Sequence, residues 1–117
     1  MNLDDALNAH SQWKIKLRTA ILKKETLDVK SVSADTCCEL GKWLHNEAKI
    51  KFSKLRCYTD LVEKHAAFHK QAGRVALAIN EKKFEEATAL LGAGTQYMSA
   101  SSAVGIAIST LKNEAKL

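Results

Sequence analysis

Apolar side chains recur along this chain at steps of three and four, the spacing that stacks them on one face of an α-helix. Leu3, Ala6, Leu7, His10, Trp13, Leu17, Ala20 and Ile21 make the first stripe and predict a helix from about Leu3 to Lys24. Asn2 or Asp4 is placed to cap it; Asp4 and Asp5 suit the positive end of its dipole, and Lys23 and Lys24 the other end. Glu25 to Ala34 is polar, broken by Val29 and Val32, and reads as a connection. Ser33 or Asp35 then caps a short second helix, about Thr36 to Asn46. Asn46 to Lys54 is polar and basic around Ile50 and Phe52, a pattern that assigns it to no element.

The strongest stripe is Tyr58, Leu61, Val62, His65, Phe68, His69, Ala72, Val75, Ala76 and Ile79, which predicts a third helix from about Leu55 to Ile79. Asn80-Glu81 makes a tight turn before a fourth helix, about Lys83 to Ala115, rich in Ala, Gly and Ser. Gly92 and Gly94 each cost up to about 1 kcal/mol of helix propensity, so a kink is expected there. The chain has no proline to force a stop. Four helical segments with short connections predict an all-α, antiparallel four-helix bundle.

The 117 residues, 46% hydrophobic and 26% charged, fit one domain spanning 1–117. That length buries a core without help, so a metal here would act as a switch or a lock rather than as the sole organiser. The net charge of +5 comes from scattered lysines, with no compact Arg stripe and no interleaved RNA-binding aromatic motif. Basic charge of this kind reads as a solvated surface and not as a nucleic-acid footprint. Three cysteines are an odd count, and Met1-Asn2-Leu3-Asp4-Asp5 lacks a secretion-signal pattern. No apolar run approaches the roughly 18 residues that span a bilayer. The expectation is a reducing, cytoplasmic setting without direct membrane insertion.

Against that plain background four side chains stand out. His10 lies mid-stripe on the first helix, and His65 and His69 lie four apart on the third, which puts their Cβ atoms about 6 Å apart. Cys38 adds a thiol on the second helix. Four soft or borderline donors are the usual number and kind for a protein-held zinc ion. The His pair resembles that of HExxH sites, but Ala66-Ala67-Phe68 intervene and the general-base glutamate is missing, so a metalloprotease is excluded. Four protein ligands would leave no position for a catalytic water, and neither a phosphate loop nor an evident nucleophile–base pair is present, so no enzyme is expected. A di-iron bundle would need more inward carboxylates than Asp60 and Glu63, and a thiol donor favours zinc.

His45 shares the Cys38–Gly41 face and is a rival ligand. It lies about 10.5 Å along a regular helix from Cys38, too far for one ion with bonds of about 2.0–2.3 Å. It is read as a surface residue or as a support for a ligand. Cys37 points about 100° away from Cys38 and is a packing or exposed thiol. Cys57 is read as core. Gly41 lets a neighbouring element come close, and Trp13 and Trp43 are placed to wall the site with apolar surface.

The string Cys38-Glu39-Leu40-Gly41-Lys42-Trp43-Leu44 resembles the CZB domain, the chemoreceptor zinc-binding domain of bacteria. His10-Ser11-Gln12-Trp13 resembles the family's upstream histidine element, and His65 and His69 its downstream pair, in the right order over nearly the whole chain. The resemblance implies a four-helix bundle with an additional short helix carrying the Cys38 motif. It implies a zinc site of three histidines and one cysteine, formed by His10, Cys38, His65 and His69, and a homodimer. Family members are attached to cytoplasmic parts of chemoreceptors and to diguanylate cyclases. The implied function is regulatory sensing of zinc, or of oxidants such as hypochlorous acid through a redox-reactive Cys38, read out by an output domain in the same or a partner chain. The competing reading is a structural, zinc-riveted dimerisation module without sensing.

Overall fold

The computed structural model describes residues 1–116, and the described residues form seven helices and no strand. They are α1 (Leu3–Lys23), α2 (Val29–Ser33), α3 (Glu39–His45), α4 (Glu47–Phe52), α5 (Arg56–Asn80), α6 (Phe84–Leu90) and α7 (Gln96–Ala115). The bundle read from the sequence is present, but its second leg is built in pieces. Helix α1 rises, α2–α4 descend, α5 rises and α7 descends.

Hydrogen bonds fix these directions. Asn80, at the top of α5, accepts from the Leu27 amide and donates to its carbonyl, both at 2.7 Å. Lower down, the Val32 carbonyl meets His69 and the Cys38 sulfur meets His65. At the bottom the buried Tyr58 hydroxyl donates to the Leu44 carbonyl at 2.6 Å. The leg therefore descends α5 as the residue numbers of α5 fall. For α7, Arg74 near the top of α5 donates to Gln96 at 2.7 Å, and Lys112 near its other end pairs with Asp4 at the start of α1 at 2.7 Å. Helix α7 is thus antiparallel to both long neighbours. Leu17, Leu40, Leu44, Leu61, Phe68, Ile79, Ile108 and Leu111 fill the centre, each 2% exposed or less.

The segmentation differs from the periodicity in four places, each for a local reason. The 25–34 connection contains one turn of helix, because Asp28 caps α2 by accepting from the Ser31 amide and hydroxyl. Gly73 lets this turn lie against α5, since a Cβ there would overlap the Ser33 side chain. Helix α3 begins only at Glu39, and its cap is Cys38, not Ser33 or Asp35. The stretch around Ile50 and Phe52 forms α4. The predicted fourth helix is two helices: Gly94 takes φ +77°, a left-handed conformation suited to glycine, and Thr95 caps α7 through the Met98 amide. No described helix is long and apolar enough to cross a membrane.

Candidate metal centre

Three of the four predicted donors sit on the long helices. His10 on α1 is 5% exposed, and His65 and His69 on α5 are 0% and 1% exposed. The imidazoles pack edge to face, with His65 and His69 centroids 4.6 Å apart and His10 5.1 and 5.8 Å from them. Cys38 completes the group from the start of α3, its Sγ 3.2 Å from His65 Nε2 and 3.6 Å from His69 Nε2. One ligand atom from each of the four residues lies within 4.8 Å of all the others.

The backbone sets which nitrogen two of the three rings offer. His10 Nδ1 donates to the Ala6 carbonyl at 3.0 Å, and His69 Nδ1 to the Val32 carbonyl at 2.9 Å. A neutral imidazole with its proton fixed on Nδ1 carries its lone pair on Nε2. This is the carbonyl-to-histidine support that orients metal-bound imidazoles. His10 Nε2 is then a buried acceptor with no hydrogen-bond partner, and His65 Nδ1 is a second buried nitrogen without one. Native interiors rarely leave such atoms orphaned, and a metal ion held at His10 Nε2 would account for that one.

The donors fit a zinc ion. Tetrahedral zinc with N and S ligands holds neighbouring donors about 3.3–3.6 Å apart. The Cys38 distances to both α5 histidines already stand near that edge length. Electrostatics agree. Burial pushes His10 and His69 below the ordinary imidazole range. It takes His65 down to about 3, helped by its two histidine neighbours. All three rings are therefore neutral, the form that binds metal. Burial pushes the Cys38 thiol up, while the Gly41 amide, 3.3 Å from Sγ, works against that. The metal-free cluster is thus an uncharged thiol with three neutral imidazoles. A divalent cation would displace a single proton, from Cys38.

The glycine of the motif has a plain steric reason. A Cβ on Gly41 would overlap the Asp35 carbonyl and stand 3.2 Å from His65 Cε1. Only glycine lets α3 press against the 35–38 turn and bring Cys38 onto α5. Trp13 lies edge-on to His69 at 5.9 Å and walls the cluster. Trp43 has Phe52 of α4 as its aromatic neighbour, 6.1 Å away, so it ties α3 to α4. His45 is exposed and bonded to Asp35 at 3.0 Å, apart from the cluster. Cys37 is exposed and Cys57 buried. A cleft of about 680 Å³ opens over His10 and Cys38, bounded by Trp13, Lys16, Cys37 and Lys42. Sequence reasoning missed the Ala6 and Val32 carbonyls, because backbone acceptors leave no mark on residue type. It also missed the ring of Phe68, 5.2 Å from His10 and 5.4 Å from His69, as part of the cluster's wall.

A helical bundle with three buried histidines, two of them oriented by backbone carbonyls, and one capping cysteine defines a metal-binding domain of the zinc type. Residues 10–76, more than half of the chain, match the chemoreceptor zinc-binding domain family, and the chain belongs to that family. Zinc is the family's metal, and His10, Cys38, His65 and His69 are positioned to bind it. No curated protein and no solved structure matches the chain.

Proposed function

We propose that this domain is a regulatory sensor of a bacterial signalling protein of the chemoreceptor type, in which one zinc ion is held by His10, Cys38, His65 and His69 and Cys38 is the responsive ligand. The observation that carries the reading is an asymmetry within the cluster. The three histidines are almost fully buried on long helices, whereas Cys38 is half-buried, caps a seven-residue helix from the turn before it and, beside His10, lines an open cleft. A bound Zn²⁺ would hold Cys38 as the thiolate, the reactive form of the sulfur. An electrophilic oxidant such as hypochlorous acid would convert that thiolate to a sulfenic acid. Helix α3 would then lose its tie to α5 and shift against the bundle, and the shift would be read by an output domain. Zinc occupancy would bias the same two arrangements of α3, so a zinc sensor uses the same moving part.

The domain acts as a homodimer in this reading. Ile106 is 68% exposed on the outer side of α7, where it borders a shallow groove with Leu7, Ser102 and Gly105. The test is metal content of the purified domain by mass spectrometry, followed by titration with hypochlorous acid while zinc release and cysteine oxidation are followed. About one zinc per chain, with Cys38 oxidised before Cys57, is the expected result. One zinc per chain with no selective oxidation would leave a zinc sensor or a permanent rivet. A protein that takes up no zinc would sink the reading.

A further inference from the structure

We propose that Cys37 is the resolving thiol for Cys38: the Cys37 sulfur attacks oxidised Cys38 and closes a disulfide between the two adjacent residues. The inference rests on the reading of Cys38 as the oxidant-responsive ligand. Both thiols line the same cleft, Cys37 exposed and Cys38 half-buried. They lie in the non-helical turn between α2 and α3, so no helical backbone hydrogen bond has to break for Cys37 to turn. One trans peptide holds their Cα atoms about 3.8 Å apart, so turning the side chains and this short turn is the only movement needed to bring the sulfurs together. Cys57 cannot take this part, because it is buried on α5 eight residues before His65, about 12 Å along the axis.

The chemistry balances with hypochlorous acid as oxidant. The Cys38 thiolate takes chlorine: an S–Cl bond forms, the O–Cl bond breaks and hydroxide leaves. Water replaces chloride, giving the sulfenic acid, with two electrons passed from sulfur to chlorine. The Cys37 thiol then attacks the Cys38 sulfur. An S–S bond forms, the S–O bond breaks, and hydroxide leaves as water with the Cys37 proton. Closure draws the Cys38 sulfur from His65, His69 and the Gly41 amide, its present neighbours. A Cα separation of about 3.8 Å is shorter than the usual disulfide span of about 4.4–6.8 Å, so the bridge is strained and readily reduced. Cys37 thereby makes the oxidation reversible and protects Cys38 from over-oxidation to sulfinic acid.

The test uses the zinc-loaded domain and its Cys37→Ser variant, treated with increasing hypochlorous acid. Peptides carrying residue 38 are examined by mass spectrometry with dimedone as the sulfenic-acid trap. In the wild type the peptide should become two hydrogens lighter, recover with dithiothreitol and resist dimedone. In Cys37→Ser the dimedone-reactive fraction at Cys38 should rise at least about tenfold and pass to sulfinic acid at excess oxidant. Equal zinc content in the two proteins separates this effect from a folding defect. Equal sulfenic and sulfinic acid yields in both proteins, or a disulfide found only between chains, would overturn the role of Cys37. If Cys38 stays reduced in both, the oxidant reading fails and the resolving role fails with it.

Discussion

The two halves of the cluster are built by opposite means. His65 and His69 stand on a 25-residue helix and His10 on a 21-residue one, all buried, with two of the three rings fixed by backbone carbonyls. Cys38 stands at the start of a seven-residue helix in a leg of three short helices, placed by a glycine contact and a cap bond. Long helices draw stability from extended packing, whereas a seven-residue helix is unstable without its tertiary contacts. The difference teaches where the proposed signal can act: the histidines would serve as the fixed jaw and the cysteine leg as the moving part.

The largest effect should come from the fixed jaw. His65→Ala should weaken zinc binding by about 100- to 1,000-fold, a quarter share of the about 10–16 kcal/mol typical of a four-ligand site. The metal-free variant should stay folded by circular dichroism, because the rest of the α5 stripe is intact. A variant that binds zinc as the wild type does would dissolve the distinction between jaw and leg. Gly41→Ala attacks the leg instead. Its methyl meets the Asp35 carbonyl, so chemical denaturation should show a loss of about 1–3 kcal/mol. Zinc affinity should fall by about 10- to 100-fold although no ligand is replaced, because the methyl crowds His65 and displaces the turn that carries Cys38.

Acid should sharpen the contrast in the metal-free domain. The three histidines are held below the ordinary imidazole value of 6.5, His65 down to about 3. Above pH 6.5 the rings are neutral folded or unfolded, and nothing is gained or lost. As the pH falls below 6.5, the unfolded chain binds protons that the folded cluster refuses. Stability should therefore drop, by at most about 1.4 kcal/mol per pH unit for each ring. Thermal melts from pH 7.5 to 5.5 should show a decline that His65→Gln reduces. The smallest effect belongs to Tyr58→Phe, which removes the bond to the Leu44 carbonyl at the foot of the leg. About 1–2 kcal/mol should be lost in denaturation, with zinc stoichiometry unchanged.

The jaw was legible in the sequence because long helices repeat: the stripes through His10 and through His65 and His69 gave the helices, their buried faces and the donors. The leg was legible only as a motif. Cys38 and Gly41 stood out by residue type and by family resemblance, but the short helices α2 and α4 are too brief for a period to show. The cap role of Cys38 was hidden because a thiol is an unusual helix cap, and Ser33 and Asp35 were better candidates by propensity. Trp43 looked like a wall of the site from its place in the motif, yet its aromatic partner is Phe52, because α3 turns that face toward α4.

Hydrogen exchange of the domain with and without one equivalent of zinc tests the central claim most directly. The account predicts that zinc removal raises exchange in residues 32–45 while the amides around His65 and His69 in α5 stay protected. Equal loss of protection in α5 and α3, or no change in α3, would contradict it.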